Sequence, residues 1–158
     1  MTEKILDMTC GSRTIWFNKN HPAAIYFDKR RESMEMYFGK ARTSLHQLHV
    51  DPDVIGDFTA LPFKDESFSL VVFDPPHLTG AKETAWLVKK YGKLDENWPQ
   101  MLHDGFAEGM RVLKPDGVLI FKWSEYDIPL PTSGRPSGRS RSLAITAARK
   151  ARPSGGAL

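Results

Sequence analysis

Short apolar runs alternate with polar stretches over most of the chain, and the polar stretches are rich in Pro, Gly, Asp and Ser. Apolar runs of strand length without internal alternation are typical of parallel strands that are covered on both faces. One segment differs, because its apolar residues recur at the spacing of one helix face. The pattern predicts strands at residues 5–8, 23–27, 53–57, 69–73 and 118–123, and a helix over residues 98–113.

The alternation of strands with helical or loop segments favours an α/β fold with an open, mostly parallel sheet. Residues 29–52 give no firm prediction, because good helix formers are followed by FGKART, which is also compatible with a turn. Residues 131–158 change character: they are rich in Pro, Gly, Ser and Arg and contain no aromatic residue. We predict one domain over residues 1–130 and a tail over 131–158 that is disordered apart from a short helical turn near SLAITAARK.

The charge of the chain divides at the same place. The net charge is +3, but residues 131–158 carry six basic residues and no acidic one, which leaves 16 basic and 19 acidic residues before them. The basic character therefore belongs to the tail. The predicted domain is slightly acidic and has no evident electrostatic footprint for duplex nucleic acid.

The chain contains a single cysteine, Cys10. It excludes a disulfide within the chain and a zinc site with several cysteines, and we predict no bound metal. The longest apolar runs are far shorter than a membrane span, and the N-terminal sequence MTEKILDMT lacks the apolar core of a signal peptide. We therefore expect a cytoplasmic protein without a membrane partner.

Aspartates stand at the ends of the first four predicted strands. Ligands of open parallel sheets bind beyond the carboxyl ends of the strands, so four acids there predict a rim of hydrogen-bond acceptors around a polar ligand. One such acid alone is usually a turn former or a helix cap. The four acids are Asp7, Asp28, Asp57 and Asp74.

The turn after the first strand contains Gly11, a small residue that lets the backbone approach a ligand closely. No G-x-G-x-x-G phosphate cradle is present, which disfavours NAD or FAD. A nucleoside without phosphate fits better, because Asp28 is placed to accept hydrogen bonds from both ribose hydroxyls. Asp57 would accept from an adenine amine, with Phe58 or Leu61 against the ring.

Four stretches carry a family resemblance: ILDMTCGSR, YFD, GDFTALPFKDESFSLVVFDPP and RVLKPDGVLIFKW. They resemble the first motif, the ribose-binding acid, the adenine-binding loop with its following strand, and the fifth-strand region of class I S-adenosylmethionine-dependent methyltransferases. The resemblance spans about residues 4–128. It implies a Rossmann-like, mostly parallel sheet and S-adenosyl-L-methionine as cofactor. The cofactor contacts that it implies are Asp7, Thr9, Cys10, Gly11, Asp28, Asp57 and Phe58.

The sequence DPPH, residues 74–77, resembles the Asp-Pro-Pro-aromatic motif of small phage and bacterial methyltransferases that act on exocyclic amines of adenine or cytosine. Such an amine is a poor nucleophile, because its lone pair is delocalised into the ring. Hydrogen bonds to the Asp74 carboxylate and the Pro75 carbonyl would make the lone pair available, so acceptors and alignment supply the rate. The resemblance implies a nucleic-acid partner, DNA before RNA, with a flipped base. The catalytic residues that it implies are Asp74, Pro75, Pro76 and His77.

The chain departs from this family in three respects. His77 stands where a larger aromatic residue usually stacks on the base, and it would stack, accept the amine proton or only cap the loop. No separate target-recognition domain is present. The basic tail replaces the antiparallel hairpin that usually follows the fifth strand, so we predict that this hairpin is missing or altered and that the fifth strand is an exposed edge.

Two other functions stay open. The acidic domain and the absent recognition domain favour a methyltransferase that acts on a small molecule or a protein. His77 and the unusual tail favour a catalytically silent protein that binds the cofactor. Trp86, Lys89, Lys90 and Tyr91 form a lid, a substrate contact or a solvated helix face. Lys122, Trp123 and Glu125 end the fifth strand close to the predicted site, where a substrate contact stays open.

Overall fold

The computed structural model describes residues 4–38, 44–78, 86–124 and 143–150. These residues form eight strands and two helices, with the predicted strands and the predicted helix among them. The elements are β1 (Ile5–Asp7), β2 (Ala24–Asp28), β3 (Glu32–Phe38), β4 (Ser44–Val50), β5 (Val54–Ile55), β6 (Phe68–Phe73), α1 (Trp86–Tyr91), α2 (Trp98–Val112), β7 (Leu113–Ser124) and β8 (Leu143–Arg149).

The main sheet has the strand order β5-β2-β1-β6-β7-β8. The first five strands in this order are parallel, and β8 runs antiparallel to β7. This is the open, mostly parallel α/β sheet that the alternation of strands predicted, and it is Rossmann-like, as the resemblance implied. The chain moves outward in one direction through β2 and β5 and in the other through β6 and β7, so the strand order reverses beside β1. Ligands of open α/β sheets bind at such a reversal.

The segment over residues 29–52, where the residue pattern supported no firm prediction, contains an antiparallel pair, β3 and β4, outside the main sheet. Its described side chains alternate in exposure. Leu48 and Val50 are buried with Met34 packed against them, whereas Glu35 and Gln47 are exposed. This two-residue period is the signature of a half-buried strand, and it overrides the helix propensity of RRESMEM.

The prediction of a disordered tail with a helical turn is wrong for residues 143–149, which form β8 along the whole outer part of β7. The backbone pairing extends to Lys150, whose N–H donates to the Gly117 carbonyl at 3.1 Å. The segment contains β-branched Ile145 and Thr146, and pairing satisfies the backbone groups of the β7 edge. The prediction of an exposed fifth strand is therefore wrong, and the prediction of a missing or altered hairpin holds only in its second form, because one antiparallel strand, β8, pairs with β7 in the described residues. Residues 131–142 and 151–158 lie outside the described residues.

Helix α2 covers the centre of the sheet and approaches it closely through two glycines. A Cβ atom at Gly105 would lie 2.7 Å from ring carbons of both Phe58 and Phe73, and one at Gly109 would lie 2.8 Å from the Leu119 side chain. The close approach brings the helix against the residues that follow β5 and against the end of β6. In the described parts of the chain no helix has the length and apolarity that crossing a bilayer requires.

Candidate ligand-binding site at the strand ends

A cavity of about 350 Å³ lies at the carboxyl ends of the parallel strands, beside the reversal of strand order. Its volume is within the range of small-molecule sites. Three of the four strand-end acids line it, and so do the DPPH residues. The predicted site residues in its wall are Thr9, Cys10, Gly11, Asp28, Asp57, Phe58, Asp74, Pro75, Pro76 and His77.

Asp28 closes β2 and is held by backbone groups on both sides. One carboxylate oxygen accepts a hydrogen bond from the Gly11 N–H at 2.8 Å, and the other accepts from the Arg30 N–H at 3.0 Å. Gly11 has φ +49°, a conformation that a residue without Cβ adopts freely. The turn after β1 and the acid after β2 therefore form one unit. Each carboxylate oxygen has a second lone pair, so Asp28 can still accept from a ligand hydroxyl.

Asp57 follows β5 on the same side of the cavity. Burial acts to raise the pKa of Asp57, but hydrogen bonds from the backbone N–H and hydroxyl of Thr59 and the Lys29 ammonium outweigh it and lower the pKa. The ammonium lies 3.3 Å from the carboxylate. The neighbouring Phe58 is largely buried and packs against Phe73 with ring centroids 5.3 Å apart. An ionised acceptor therefore stands beside an aromatic wall.

The loop that carries Asp57 and Phe58 is tied to α2 by Arg111. The guanidinium donates to the carbonyls of Leu61 and Phe63 at 2.9 and 2.8 Å, and it pairs with Glu108 and Asp65 at 2.7 Å. Glu108 in turn accepts the Leu61 N–H at 2.7 Å. Hydrogen bonds from Arg111 lower the pKa of Glu108 and outweigh its burial. The network fixes one wall of the cavity to the helix, and the sequence pattern gave no signal for it.

Asp7 differs from the other strand-end acids, because it is 1% exposed and lies outside the cavity wall. Its carboxylate accepts from the Trp16 indole N–H at 2.7 Å and from the Thr9 N–H at 3.3 Å. The prediction that Asp7 faces a ligand is thus corrected, because its carboxylate is buried outside the cavity wall and bonded to internal donors of the turn after β1. Burial raises the pKa of Asp7 to about 7, against the hydrogen bonds from Trp16 and Thr9.

Cys10 lies in the same turn and is buried, with its backbone N–H bonded to the Phe27 carbonyl at 2.9 Å. Burial and the nearby charge of Asp7 raise the pKa of the Cys10 thiol. A neutral, buried thiol is a packing group, which agrees with a cavity-wall role and not with that of a nucleophile. No group of His, Cys, Asp and Glu side chains suited to a metal ion occurs among residues 4–38, 44–78, 86–124 and 143–150.

Asp74 begins the DPPH turn directly after β6. Its backbone N–H donates to the Thr9 hydroxyl at 2.9 Å, which joins the turn after β1 to the turn after β6. Its carboxylate Oδ2 contacts the Lys122 ammonium at 2.5 Å. Both side chains are mostly buried, at 16% and 26% exposure. Lys122 reaches Asp74 because Phe73 pairs with Phe121 in the parallel register, so the next residues stand level.

The His77 ring lies close to two larger aromatic rings. Its centroid is 6.0 Å from that of Tyr91 and 6.2 Å from that of Trp123. Trp123 is fully buried, whereas Tyr91 and His77 both line the cavity. Tyr91 therefore adds aromatic surface beside the small His77 ring.

The segment from Val88 to Leu94 covers the DPPH turn, and we call it the cover. The Leu94 N–H donates to the Leu78 carbonyl at 2.9 Å, and a Cβ at Gly92 would lie 3.1 Å from the Pro76 ring. Gly92 has φ +80°, which a residue without Cβ adopts without strain. These contacts pack the cover against the DPPH turn at the rim of the cavity.

Arg30 joins the cover to the opposite wall of the cavity. Its guanidinium donates to the carbonyls of Lys89 and Lys90 at 2.9 and 3.4 Å, and its Nε lies 3.6 Å from the Asp28 carboxylate. An ion pair with Glu32 at 2.8 Å orients the same side chain. The sequence pattern did not single out Arg30. The only available signal was its position two residues after the acid that ends β2.

No family model matches the sequence, and no curated protein matches it. Among solved structures, the chain is similar to the PH0226 protein from Pyrococcus horikoshii OT3, with 22% sequence identity and a TM-score of 0.48. The match covers 81% of this chain and 49% of that chain, so this chain spans about half the length of that protein. The fold is accordingly defined by the strand order and strand directions given above.

Proposed function

We propose that this chain is an S-adenosylmethionine-dependent methyltransferase that acts on an exocyclic amine, with adenine in nucleic acid as the preferred acceptor. The observation that carries the proposal is the single cavity whose wall contains Asp28, Asp57 and the DPPH turn. The half of the cavity that would bind the nucleoside is thereby continuous with the half that would bind the acceptor. We propose a cytoplasmic location as well.

The residues of the first half suit the nucleoside part of the cofactor. Asp28 would accept from the ribose hydroxyls while Gly11 and Arg30 hold its carboxylate in place. Asp57, kept ionised by Thr59 and Lys29, would accept from the adenine amine, and the exposed edge of Phe58 would contact the ring. When bound, S-adenosylmethionine would supply a methyl group activated by a positively charged sulfur.

The residues of the second half suit an acceptor amine. Asp74 and the Pro75 carbonyl would accept its N–H groups, which favours a pyramidal nitrogen with an available lone pair. His77 and Tyr91 would contact the face of the acceptor ring. The Thr9 hydroxyl holds the Asp74 backbone against the turn after β1, so the two halves keep a fixed separation. Positioning of this kind supplies a large part of the rate in the absence of a covalent enzyme intermediate.

A nucleic-acid acceptor is favoured by an open groove of about 490 Å³ beside the cavity. The groove and the cavity share Ser12, Thr14 and Lys90. Arg13 and Lys19 also line the groove, together with one acid, Asp51. A groove with an excess of basic residues next to an acceptor site suits the phosphates that flank a flipped base.

A small-molecule acceptor is the second candidate, favoured by the excess of acidic over basic residues before the tail. Methyl transfer only to acceptors outside nucleic acid would select it. A silent cofactor-binding protein would bind the cofactor and transfer the methyl group to no acceptor.

The proposal is tested by calorimetric titration of the wild type and Asp28→Ala with S-adenosylmethionine and S-adenosylhomocysteine. We expect micromolar binding by the wild type, about −8 kcal/mol, and at least a tenfold loss in the variant. Asp104→Ala is the matched control, because Asp104 is an exposed acid on α2 that lies outside the cavity wall. Absence of binding by a wild-type protein with a cooperative thermal transition would reject the proposal.

A further inference from the structure

Phe17 is a fully exposed aromatic residue in the loop over residues 13–20, which we call the Phe17 loop. Ile15 in the same loop is 37% exposed. Among the large hydrophobic side chains that the structure describes as exposed, Phe17 is the only aromatic one. A phenyl ring in water forgoes the favourable burial that places most aromatic side chains in a core or an interface. The ring is therefore available to a partner.

Two internal contacts hold the Phe17 loop in place. Trp16 turns inward, and its indole N–H donates to the Asp7 carboxylate at 2.7 Å. The Arg13 guanidinium donates to the Lys19 carbonyl at 2.7 Å, which closes the loop across Phe17. Because the backbone on both sides of Phe17 is fixed, binding through its ring would order few additional groups and would lose little conformational entropy.

The groove beside the Phe17 loop carries an excess of positive charge. Arg13, Lys19 and Lys90 line it together with one acid, Asp51. The Asp51 carboxylate pairs with Arg31 at 3.0 Å, so a cation outside the lining compensates its charge. Within the described part of the chain, the Arg13 guanidinium donates to carbonyl and amide oxygens and to no carboxylate. Such a groove suits the phosphate oxygens of a nucleic-acid backbone.

The groove connects the Phe17 loop with the cavity. Thr14 and Lys19 of the loop line the groove, and Thr14 and Lys90 also line the cavity. Phe17 is two residues from Lys19, so their Cα atoms are at most about 7 Å apart. The exposed ring, the cationic groove and the cavity are thus neighbours along one surface.

We propose that the groove and the Phe17 loop bind single-stranded nucleic acid, and this choice of acceptor rests on the proposed function. Backbone phosphates would lie against Lys19 and Lys90, and a base beside the target nucleotide would stack on Phe17. A cationic groove combined with an aromatic platform is how proteins bind single strands without reading their sequence.

A single strand fits this surface better than a duplex. The bases of a duplex are stacked on one another and present no free face to Phe17, and the target base would also have to be unpaired. The positive charge is local, because residues 1–130 contain 16 basic and 19 acidic residues. A duplex would need a broader basic face.

The test is fluorescence anisotropy with a labelled oligonucleotide of mixed sequence, alone and as a duplex with its complement. We expect the wild type to bind the single strand more tightly. Phe17→Ala should weaken this binding by about 5- to 150-fold, the range for loss of one stacked base, whereas Phe17→Trp should retain it. Ile55→Ala is the matched control, because Ile55 is an exposed apolar residue that lines neither the groove nor the cavity.

A second variant tests the phosphate contacts. Lys19→Met should reduce the steepness of log K against log salt concentration by about 0.7, the value for one phosphate contact with a single strand. Lys64→Met should leave the slope unchanged, since Lys64 is an exposed cation outside the groove and the cavity.

Three results would overturn the inference: equal affinity of the wild type and Phe17→Ala for the single strand, tighter binding of the duplex, or no oligonucleotide binding. In the last case, binding to phosphatidylserine vesicles would assign the Phe17 loop to a membrane surface, and dimerisation lost in Phe17→Ala would assign it to a second copy of the chain. Failure of the proposed function gives a different pattern. The single strand would then bind in a Phe17-dependent manner, but no methyl group would be transferred to it.

Discussion

The two walls of the cavity hold their acids by different means. Asp28 is held by backbone N–H groups of residues that lie close to it in the fold, Gly11 and Arg30. Asp74 is held by a side chain, the Lys122 ammonium, which reaches it from the next strand. A carboxylate held mainly by backbone N–H groups depends less on the identity of neighbouring side chains, of which only the Arg30 guanidinium, 3.6 Å away, is described beside Asp28. One held by a lysine can be retuned by a single substitution, so the acceptor half is the more adjustable part of the site.

The largest expected effect concerns Asp7, which ends β1 between the two strands that lead to Asp28 and Asp74. Burial raises the pKa of Asp7 to about 7 from 3.8, so between these values the folded chain binds more protons than the unfolded chain. Stability should therefore fall as pH rises through this window, by on the order of 4 kcal/mol for a shift of this size, and stay low above it. In Asp7→Asn this fall should be absent.

Urea unfolding of both proteins at pH 4.5, 5.5, 6.5 and 7.5 measures the difference directly. The variant should gain stability relative to the wild type as the pH rises, because only the wild type must ionise a buried acid. Parallel stability profiles of the two proteins would show that the pKa of the Asp7 carboxyl is the same in the folded and the unfolded chain.

The second prediction separates the two walls. Asp74→Ala removes the carboxylate oxygens that would accept hydrogen bonds from the amine, but it removes no contact of the nucleoside half. Methyl transfer should therefore fall by about 10²- to 10³-fold, as for removal of one preorganised polar group. Cofactor affinity should stay within about threefold of the wild type. Initial rates with a radiolabelled methyl donor measure methyl transfer, and calorimetry measures cofactor affinity. An equal loss of affinity and rate would mean that the walls do not act independently.

The third prediction concerns the helix that both walls rest on. Gly105→Ala would place a Cβ 2.7 Å from the rings of Phe58, in the nucleoside half, and Phe73, which precedes Asp74. Overpacking should lower the free energy of unfolding by about 1–3 kcal/mol, although alanine is the better helix former. Gln100→Ala, at an exposed position of the same helix, serves as the control and should be close to neutral. A stabilised Gly105→Ala would mean that the rings move aside.

The smallest expected effect is that of Arg30→Met, which removes the link between the Asp28 wall and the cover. Loss of the hydrogen bonds to Lys89 and Lys90 should weaken cofactor binding by about 1 kcal/mol, roughly fivefold. The loss should appear mainly as faster dissociation in stopped-flow measurements. Lys64→Met, which removes an exposed cation outside the cavity wall, is the control. A slower association with unchanged dissociation would argue against a cover held by Arg30.

The two walls also differ in how much of their contacts could be predicted from the sequence. The Asp28 wall was predictable, because the acid directly follows an apolar run and a glycine lies in the preceding turn, both of which are local patterns. Asp7 has the same local pattern, yet its carboxylate accepts a hydrogen bond from the Trp16 indole, nine positions away. The register that pairs Asp74 with Lys122 and the Arg111 network depend on contacts between distant segments. β8 was missed because composition predicts disorder, whereas an unpaired sheet edge offers backbone partners to almost any sequence.

The position of Arg30 has a kinetic consequence. Because one side chain touches both Asp28 and the end of α1, a ligand seated against Asp28 is enclosed for as long as that side chain keeps its contacts. Under the proposed function the cofactor would enter before the acceptor, and the demethylated product would leave last. Turnover would then be limited by the opening of the cover and not by methyl transfer, as in enzymes whose lids gate product release. A pre-steady-state burst of methylated acceptor, equal in amount to the enzyme, would be its signature.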